Sequence, residues 1–172
     1  MEPTEQSAER VALEYLSVWN DRTYDRIPDI VSESFVMYDP FAPAADVPGP
    51  KGEVHGRDGL ETFIEGVVTG FPDFHVEVLS TGVDGERVLY EGTLRLTNEG
   101  SFFGIPPTGG SAEVRYMGVV AVVDGRVETH HVFPPVLDIA RALVPRFPAI
   151  LGYLPRLLVA GVRRLFRRVP IP

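Results

Sequence analysis

The feature that most constrains this chain is a change in hydrophobic period near residue 74. Before it, apolar residues recur every three or four positions, which is typical of helices that lie on a core. After it, apolar and polar residues alternate, which predicts strands with one buried face. Helices followed by a run of strands indicate an α+β fold with a strongly curved antiparallel sheet.

The same patterns place the individual elements. Amphipathic helices are predicted over 4–20 and 57–68, with a shorter helical stretch over 25–32. Strands are predicted over 35–38, 74–79, 87–97, 113–123 and 126–133. Asp124-Gly125 between the last two is a strong hairpin signal. The segments after Tyr38 and over 103–110 are rich in Pro and Gly, which predicts loops.

Composition narrows the class of protein. A length of 172 residues with 44% apolar residues fits one folded domain rather than a disordered chain. The absence of cysteine excludes disulfides, thiolate catalysis and Cys-based zinc sites. No apolar run reaches the roughly 20 residues of a spanning helix, and the N-terminus lacks the pattern of a signal peptide. We therefore expect a cytoplasmic protein.

Charge is distributed unevenly along the chain. Residues 1–137 hold 9 basic and 23 acidic side chains, whereas residues 138–172 hold 7 Arg and 1 Asp. The acidic body argues against nucleic acid as a partner, because phosphate binding needs a basic face. The sequence also has no phosphate loop, nucleophile elbow or dinucleotide fingerprint. The four histidines complete no recognisable metal-ligand set, so we expect no metal site.

The basic C-terminal segment predicts an amphipathic helix over 156–169. Such a helix can lie on an anionic membrane surface. Alternatively, its apolar face packs on the domain itself or on a second subunit of a homo-oligomer. The sequence leaves both alternatives open, and we treat 138–172 as an extension of a domain formed by residues 1–137.

Two motifs carry a resemblance to a known family. Residues 104–109 read Gly-Ile-Pro-Pro-Thr-Gly, and residues 70–73 read Gly-Phe-Pro-Asp. Over roughly residues 8–138 the chain resembles the SnoaL-like polyketide cyclases, which are related to ketosteroid isomerase within the nuclear-transport-factor-like superfamily. The resemblance implies a cone-shaped fold around one apolar pocket that binds a small apolar, polyketide-like or cyclic molecule. It also implies acid/base catalysis of ring closure without a metal or organic cofactor.

The chain departs from the family at both catalytic positions. The family aspartate falls on Pro135, and the family histidine falls on Asn98. Asp138 is three residues beyond the aspartate position, on a predicted helix. Two functions therefore stay open: a cofactor-independent cyclase, isomerase or hydratase, or a ligand-binding module that has lost its chemistry.

Strand parity and the resemblance together select candidate site residues. Alternation along the last strand places His131 inward and His130 outward, and His131 is then the best general base. The alternative for His131 is a buried histidine satisfied by a hydrogen bond, and for the tyrosines a role as cavity wall. Asp39, before Pro40, is either a turn former or an acid/base group. The predicted catalytic set is His131, Tyr116, Tyr38 and Asn98, and the predicted ligand-binding set is Trp19, Phe63, Tyr90, Phe102 and Phe133.

Overall fold

The structure is a computed structural model that describes residues 3–43 and 46–143. Its helices are α1 (Pro3–Asp21), a short 3-10 helix (Tyr24–Arg26), α2 (Ile27–Ile30), α3 (Gly56–Gly70) and α4 (Val136–Leu143). Its strands are β1 (Val31–Tyr38), β2 (Glu53–His55), β3 (His75–Asp84), β4 (Arg87–Thr97), β5 (Ser111–Val123) and β6 (Arg126–Phe133). Within the described residues this is an α+β fold, as the sequence predicts.

All six strands form one curved, unclosed sheet in the order β2-β1-β6-β5-β4-β3. Neighbouring strands are antiparallel except β1 and β6, which run parallel. The predicted hairpin between β5 and β6 is present, and Asp124 and Gly125 both take positive φ as its turn requires. The parallel pair joins the first long strand to the last, and no local sequence pattern specifies such a distant pairing.

Helices α1 and α3 cover the concave face of the sheet. The α1 residues at helical spacing, Val11, Tyr15 and Trp19, are all buried, and α1 contacts β3, β4, β5 and β6. Helix α3 buries Leu60, Phe63 and other apolar residues against β1 and β2. Full burial of each such side chain contributes about 1.5–3 kcal/mol, so the two apolar faces fix where the helices lie.

Several elements differ from the predicted ones, and strands β1 and β3 are longer than predicted. The helical stretch ends at Ile30, because Val31 already pairs with Val127 in the sheet. Strand β2 was not predicted, since its three residues are too few to show a period. Helix α4 runs from Val136 to Leu143, and its Ile139 is buried.

The predicted helix over 156–169 lies outside the described residues. Within residues 3–43 and 46–143, no helix combines the length and apolar character needed to cross a membrane.

The inward parity of β4 and β5 is as predicted, but that of β6 is wrong after Val127. Val122 pairs with Val127 while Ala121 pairs with Thr129, so Glu128 is an extra residue opposite the β5 backbone. Such a β-bulge reverses the alternation beyond it. Consequently His130 points to the concave face and His131 to the convex face.

Candidate functional site

A cavity of about 290 Å³ lies between the concave face of the sheet, helices α1, α3 and α4, and the loop after β4. Its walls are almost entirely apolar, which is usual for pockets that bind small organic molecules. Six of the predicted site residues lie on it: Trp19, Phe63, Tyr90, Asn98, Phe102 and Tyr116. The polar residues among its walls that the predicted sets omit are Asp39, Thr108 and His130.

Three predicted site residues lie elsewhere, and their predicted inward orientation is wrong. The ring of His131 stacks on that of Tyr38 at 4.3 Å on the convex face, where Tyr38 is 38% exposed. Phe133 continues this outer row and is 60% exposed. The bulge at Glu128 is the cause for His131 and Phe133, since it turns them away from the cavity. Tyr38 alternates with the buried Met37 on β1 and so faces outward.

His130 occupies the place predicted for His131. It is 3% exposed and lies between two tyrosines, with Nδ1 3.0 Å from the Tyr15 hydroxyl and Nε2 2.8 Å from the Tyr90 hydroxyl. Burial, with a smaller effect from His131, lowers the pKa of His130 to about 3. The imidazole is therefore neutral at physiological pH and is poorly suited to act as a general base.

Tyr90 and Tyr116 are positioned by two glycines on the opposite strand. Tyr90 pairs with Gly118, and Gly92 pairs with Tyr116. A Cβ on Gly118 would lie 2.4 Å from the Tyr90 hydroxyl, and one on Gly92 would lie 3.1 Å from the Tyr116 ring. Each ring occupies the space over the glycine opposite it, and the two rings meet edge to face, with centroids 5.6 Å apart. Each glycine faces a tyrosine across the β4/β5 pair. This pairing is visible in the sequence once the register is known, but strand alternation alone does not predict it.

The Tyr116 hydroxyl is available to a ligand. Tyr116 is 6% exposed, and its phenol is a hydrogen-bonding neighbour of the Tyr90 phenol. Tyr116 is also one of the residues that line the cavity. Burial raises the pKa of Tyr116, which keeps the phenol protonated and able to donate.

Asp39 is the one acidic residue among the described residues that line the cavity. It follows β1 directly and shares the inward parity of Met37. Its Oδ1 accepts a 2.8 Å hydrogen bond from the Phe41 backbone N–H, and its carbonyl accepts from Ala42, so it also forms the turn that the sequence suggests. Burial raises the pKa of Asp39 to about 6, against the smaller opposing effect of the Phe41 hydrogen bond. Burial raises the pKa values of Tyr90 and Tyr116, and the negative charge of Asp39 adds a smaller increase to both.

Asn98 anchors a loop and has no free polar atom for a ligand. Its Nδ2 donates to the carbonyls of Gly70 and Gly100, and its Oδ1 accepts from the Thr108 backbone N–H. The loop between Asn98 and Gly110 is thereby tied to the end of α3. Phe102 from this loop packs against Gly70 and closes one side of the cavity.

Comparison with known proteins agrees with this architecture. The sequence profile of the SnoaL-like polyketide cyclases matches residues 9–143. No curated protein sequence is detectably similar to the chain.

Among solved structures, a SnoaL-like protein from Jannaschia sp. CCS1 superposes with a TM-score of 0.72 at 21% identity, covering 85% of this chain and 98% of that one. IdmH from Streptomyces antibioticus, a proposed polyketide cyclase, gives 0.66 at 22% identity over 79% and 97% of the two chains. An LEH-like epoxide hydrolase from M. tuberculosis gives 0.62 at 20% identity over 87% and 98%. These likenesses show the shared fold. With its sequence match over 9–143, the chain belongs to the SnoaL-like polyketide cyclase family.

Proposed function

We propose that the cavity binds a small apolar carbonyl compound and that Asp39 removes a proton from the carbon next to the carbonyl. Tyr116 donates a hydrogen bond to the carbonyl oxygen. The observation that carries this proposal is that a carboxyl whose pKa is raised to about 6 and a phenol that stays protonated line the same, largely apolar cavity.

The proposed step is an enolisation. The C–H bond breaks, its proton goes to the Asp39 carboxylate, and its electron pair moves through the new C=C bond onto the carbonyl oxygen. The resulting enolate either takes the proton back at another carbon, which is an isomerisation, or attacks a second carbonyl of the same molecule, which closes a ring. The proton returns from Asp39 in both cases, so neither a cofactor nor a second reactant is required.

The electrostatics of the site favour this step. A carboxylate with a pKa of about 6 is ionised at neutral pH and is a stronger base than an ordinary aspartate. Apolar walls keep water away from the enolate, and a fixed donor at the developing oxyanion is worth about 100- to 1,000-fold in rate. A carboxylate base combined with a tyrosine donor in an apolar pocket is also how ketosteroid isomerases move protons.

The proposal places the base on a different strand from the family position. Pro135 stands where the resemblance expects the aspartate, and Asp39 reaches the cavity from the end of β1 instead. Strands β1 and β6 are neighbours in the sheet, and Pro134, next to the family position, lines the cavity together with Asp39. The missing family aspartate is therefore compatible with retained chemistry.

The test is hydrogen–deuterium exchange of the methyl protons of acetophenone or a larger aryl methyl ketone in D₂O, followed by NMR. We expect the wild type to accelerate exchange and Asp39→Asn to lose about 100-fold or more of that acceleration. Asp39→Asn keeps the shape of the side chain and the acceptor for Phe41. Asp84→Asn, at an exposed end of β3, is the matched control and should retain the wild-type rate. Wild-type protein that binds such ketones tightly but does not accelerate exchange would instead support a ligand-binding module.

A further inference from the structure

Four side chains form a polar row: His130, Tyr90 and Tyr116 line the cavity, and Tyr15 contacts His130. We propose that hydrogen bonds along this row run in one direction. Tyr15 donates to Nδ1 of His130, Nε2–H of His130 donates to Tyr90, and Tyr90 directs its proton to the Tyr116 oxygen. The Tyr116 proton is then left free for a ligand oxygen. Tyr15, His130 and Tyr90 are thus positioning residues for the donor, and only the role of Tyr116 rests on the proposed function.

The state of His130 limits the row to two arrangements. Its ring is buried and touches two hydroxyls, with no carboxylate hydrogen-bonded to it among the described residues. A neutral imidazole carries one N–H and one lone pair. One of the two tyrosines must therefore donate to the ring and the other must accept from it.

Tyr15 decides between the two arrangements. It is fully buried, and its contact with His130 is the single side-chain hydrogen bond that the described structure gives its hydroxyl. If Nδ1 carried the proton, Tyr15 would accept it and its own buried proton would have no acceptor, which is unfavourable. If Tyr15 instead donates to Nδ1, its proton has an acceptor.

Trp19 strengthens this choice. Its indole nitrogen can only donate, and it is the one sealed side-chain polar atom in residues 3–43 and 46–143 with no hydrogen bond. The indole N–H acts on the Tyr15 oxygen closely enough to lower the pKa of Tyr15, against the larger increase caused by burial. A donor on that side favours a Tyr15 lone pair facing Trp19 and a Tyr15 proton facing His130.

The rest of the row follows from the tautomer. With the proton on Nε2, Tyr90 accepts at 2.8 Å and must direct its own proton elsewhere. The Tyr116 hydroxyl lies beside it, and each phenol affects the pKa of the other. In the reverse arrangement Tyr116 would donate its proton to Tyr90. The Tyr116 hydroxyl would then offer a ligand only an acceptor, whereas in the proposed arrangement it offers a donor. Hydrogen bonds in such a chain polarise one another, so the end donor is also strengthened.

The first experiment needs no ligand. Nitrogen-15 NMR of the full chain distinguishes protonated from unprotonated ring nitrogens, and His130→Gln identifies the signals of His130 by their loss. We expect Nε2 protonated and Nδ1 unprotonated. The opposite tautomer, or an even mixture, overturns the proposal.

The second experiment measures the donor directly, through the infrared carbonyl stretch of acetophenone bound to the full chain. The wild type should shift the stretch to lower frequency, Tyr116→Phe should abolish the shift, and Tyr38→Phe on the convex face should leave it unchanged. Tyr90→Phe separates the two directions. A smaller shift supports the proposed row, whereas a larger shift means that Tyr90 had been holding the Tyr116 proton and overturns it.

Both measurements are independent of turnover. If Asp39→Asn keeps full exchange activity while His130 shows the expected tautomer, the proposed function fails and the direction of the row stands. If His130 shows the opposite tautomer and Asp39→Asn is inactive, the direction of the row is wrong and the proposed function stands.

Discussion

At position 130 an imidazole sits between two tyrosine hydroxyls, cut off from water, and its pKa is lowered to about 3. In the unfolded chain a histidine has a pKa near 6.5, so folding lowers the pKa of His130. The resulting stabilisation is fully present above pH 6.5 and is lost as the pH falls toward 3. Burial of His130 in the polar row should therefore make the free energy of unfolding decrease as the pH falls.

We expect this link to be measurable with His130→Gln. Over this range each pH unit should cost the wild type up to about 1.4 kcal/mol through His130, and the variant should lack this term. Urea unfolding at several pH values from 7 to 4 measures the difference. His131→Gln, which removes an imidazole from the convex face, should keep the wild-type acid sensitivity. Parallel pH dependences for wild type and His130→Gln would be incompatible with a neutral, buried His130.

The contribution of Asp39 to stability changes with pH in the opposite direction to that of His130. Its folded-state pKa is raised from 3.8 to about 6, so its contribution to stability is present below pH 3.8 and is lost as the pH rises through 6. We predict that Asp39→Asn is more stable than the wild type at pH 8, by about 1–3 kcal/mol, because it removes a half-buried charge. Unfolding at pH 8 and pH 4 tests this, and the gain should vanish at pH 4. A destabilised variant at pH 8 would show that the carboxylate is well solvated or paired.

At the level of elements, the β4/β5 pair positions the phenols through Gly92 and Gly118. We predict that Gly118→Ala displaces the Tyr90 ring, since its Cβ would lie 2.4 Å from the hydroxyl. Loss of the bond to His130 and of local packing should lower the free energy of unfolding by about 2–4 kcal/mol. Gly82→Ala on β3 is the control, because a Cβ there meets nothing within 4 Å. Equal stability of the two variants would mean that Tyr90 has room to move.

Strand β6 shows where sequence reasoning on the site succeeds and where it fails. Tyr90 and Tyr116 lie on strands with unbroken inward alternation, so parity places them on the cavity. His131 and Phe133 follow a bulge at Glu128 that no residue type in the sequence predicts. Strand alternation therefore assigns these two side chains to the concave face, whereas they lie on the convex face. Asp39 had a usable signal, its two-residue spacing from the inward Met37, but the following proline suggested a turn.

For the whole molecule, the two hydrophobic periods were sufficient to predict the α+β class, and the loop motif at 104–109 was sufficient to predict the family. The parallel pairing of β1 with β6 and the exact lining of the cavity depend on contacts distant in sequence, which local patterns do not encode. The predicted homo-oligomer and the small apolar ligand stay predictions.

The basic segment over 156–169 also stays a prediction, and its two alternatives respond differently to salt. We expect packing against the domain or a second subunit, so neither the full chain nor a version ending at Pro155 should sediment with anionic vesicles. Removing the segment should instead change the oligomeric state or the stability, as measured by sedimentation velocity and urea unfolding. Sedimentation of the full chain alone, reversed by high salt, would indicate membrane binding, since that attraction is screened beyond about 8 Å at physiological ionic strength.

If Asp39 is the base of an enolising site, ketone exchange should depend on the ionisation of its carboxyl. We predict that kcat/KM for exchange rises with pH and levels off, with a midpoint near the Asp39 pKa of about 6. The rise should be absent from the residual activity of Asp39→Asn. A rate that does not change between pH 4.5 and 7.5, or a midpoint that survives unchanged in Asp39→Asn, would contradict it.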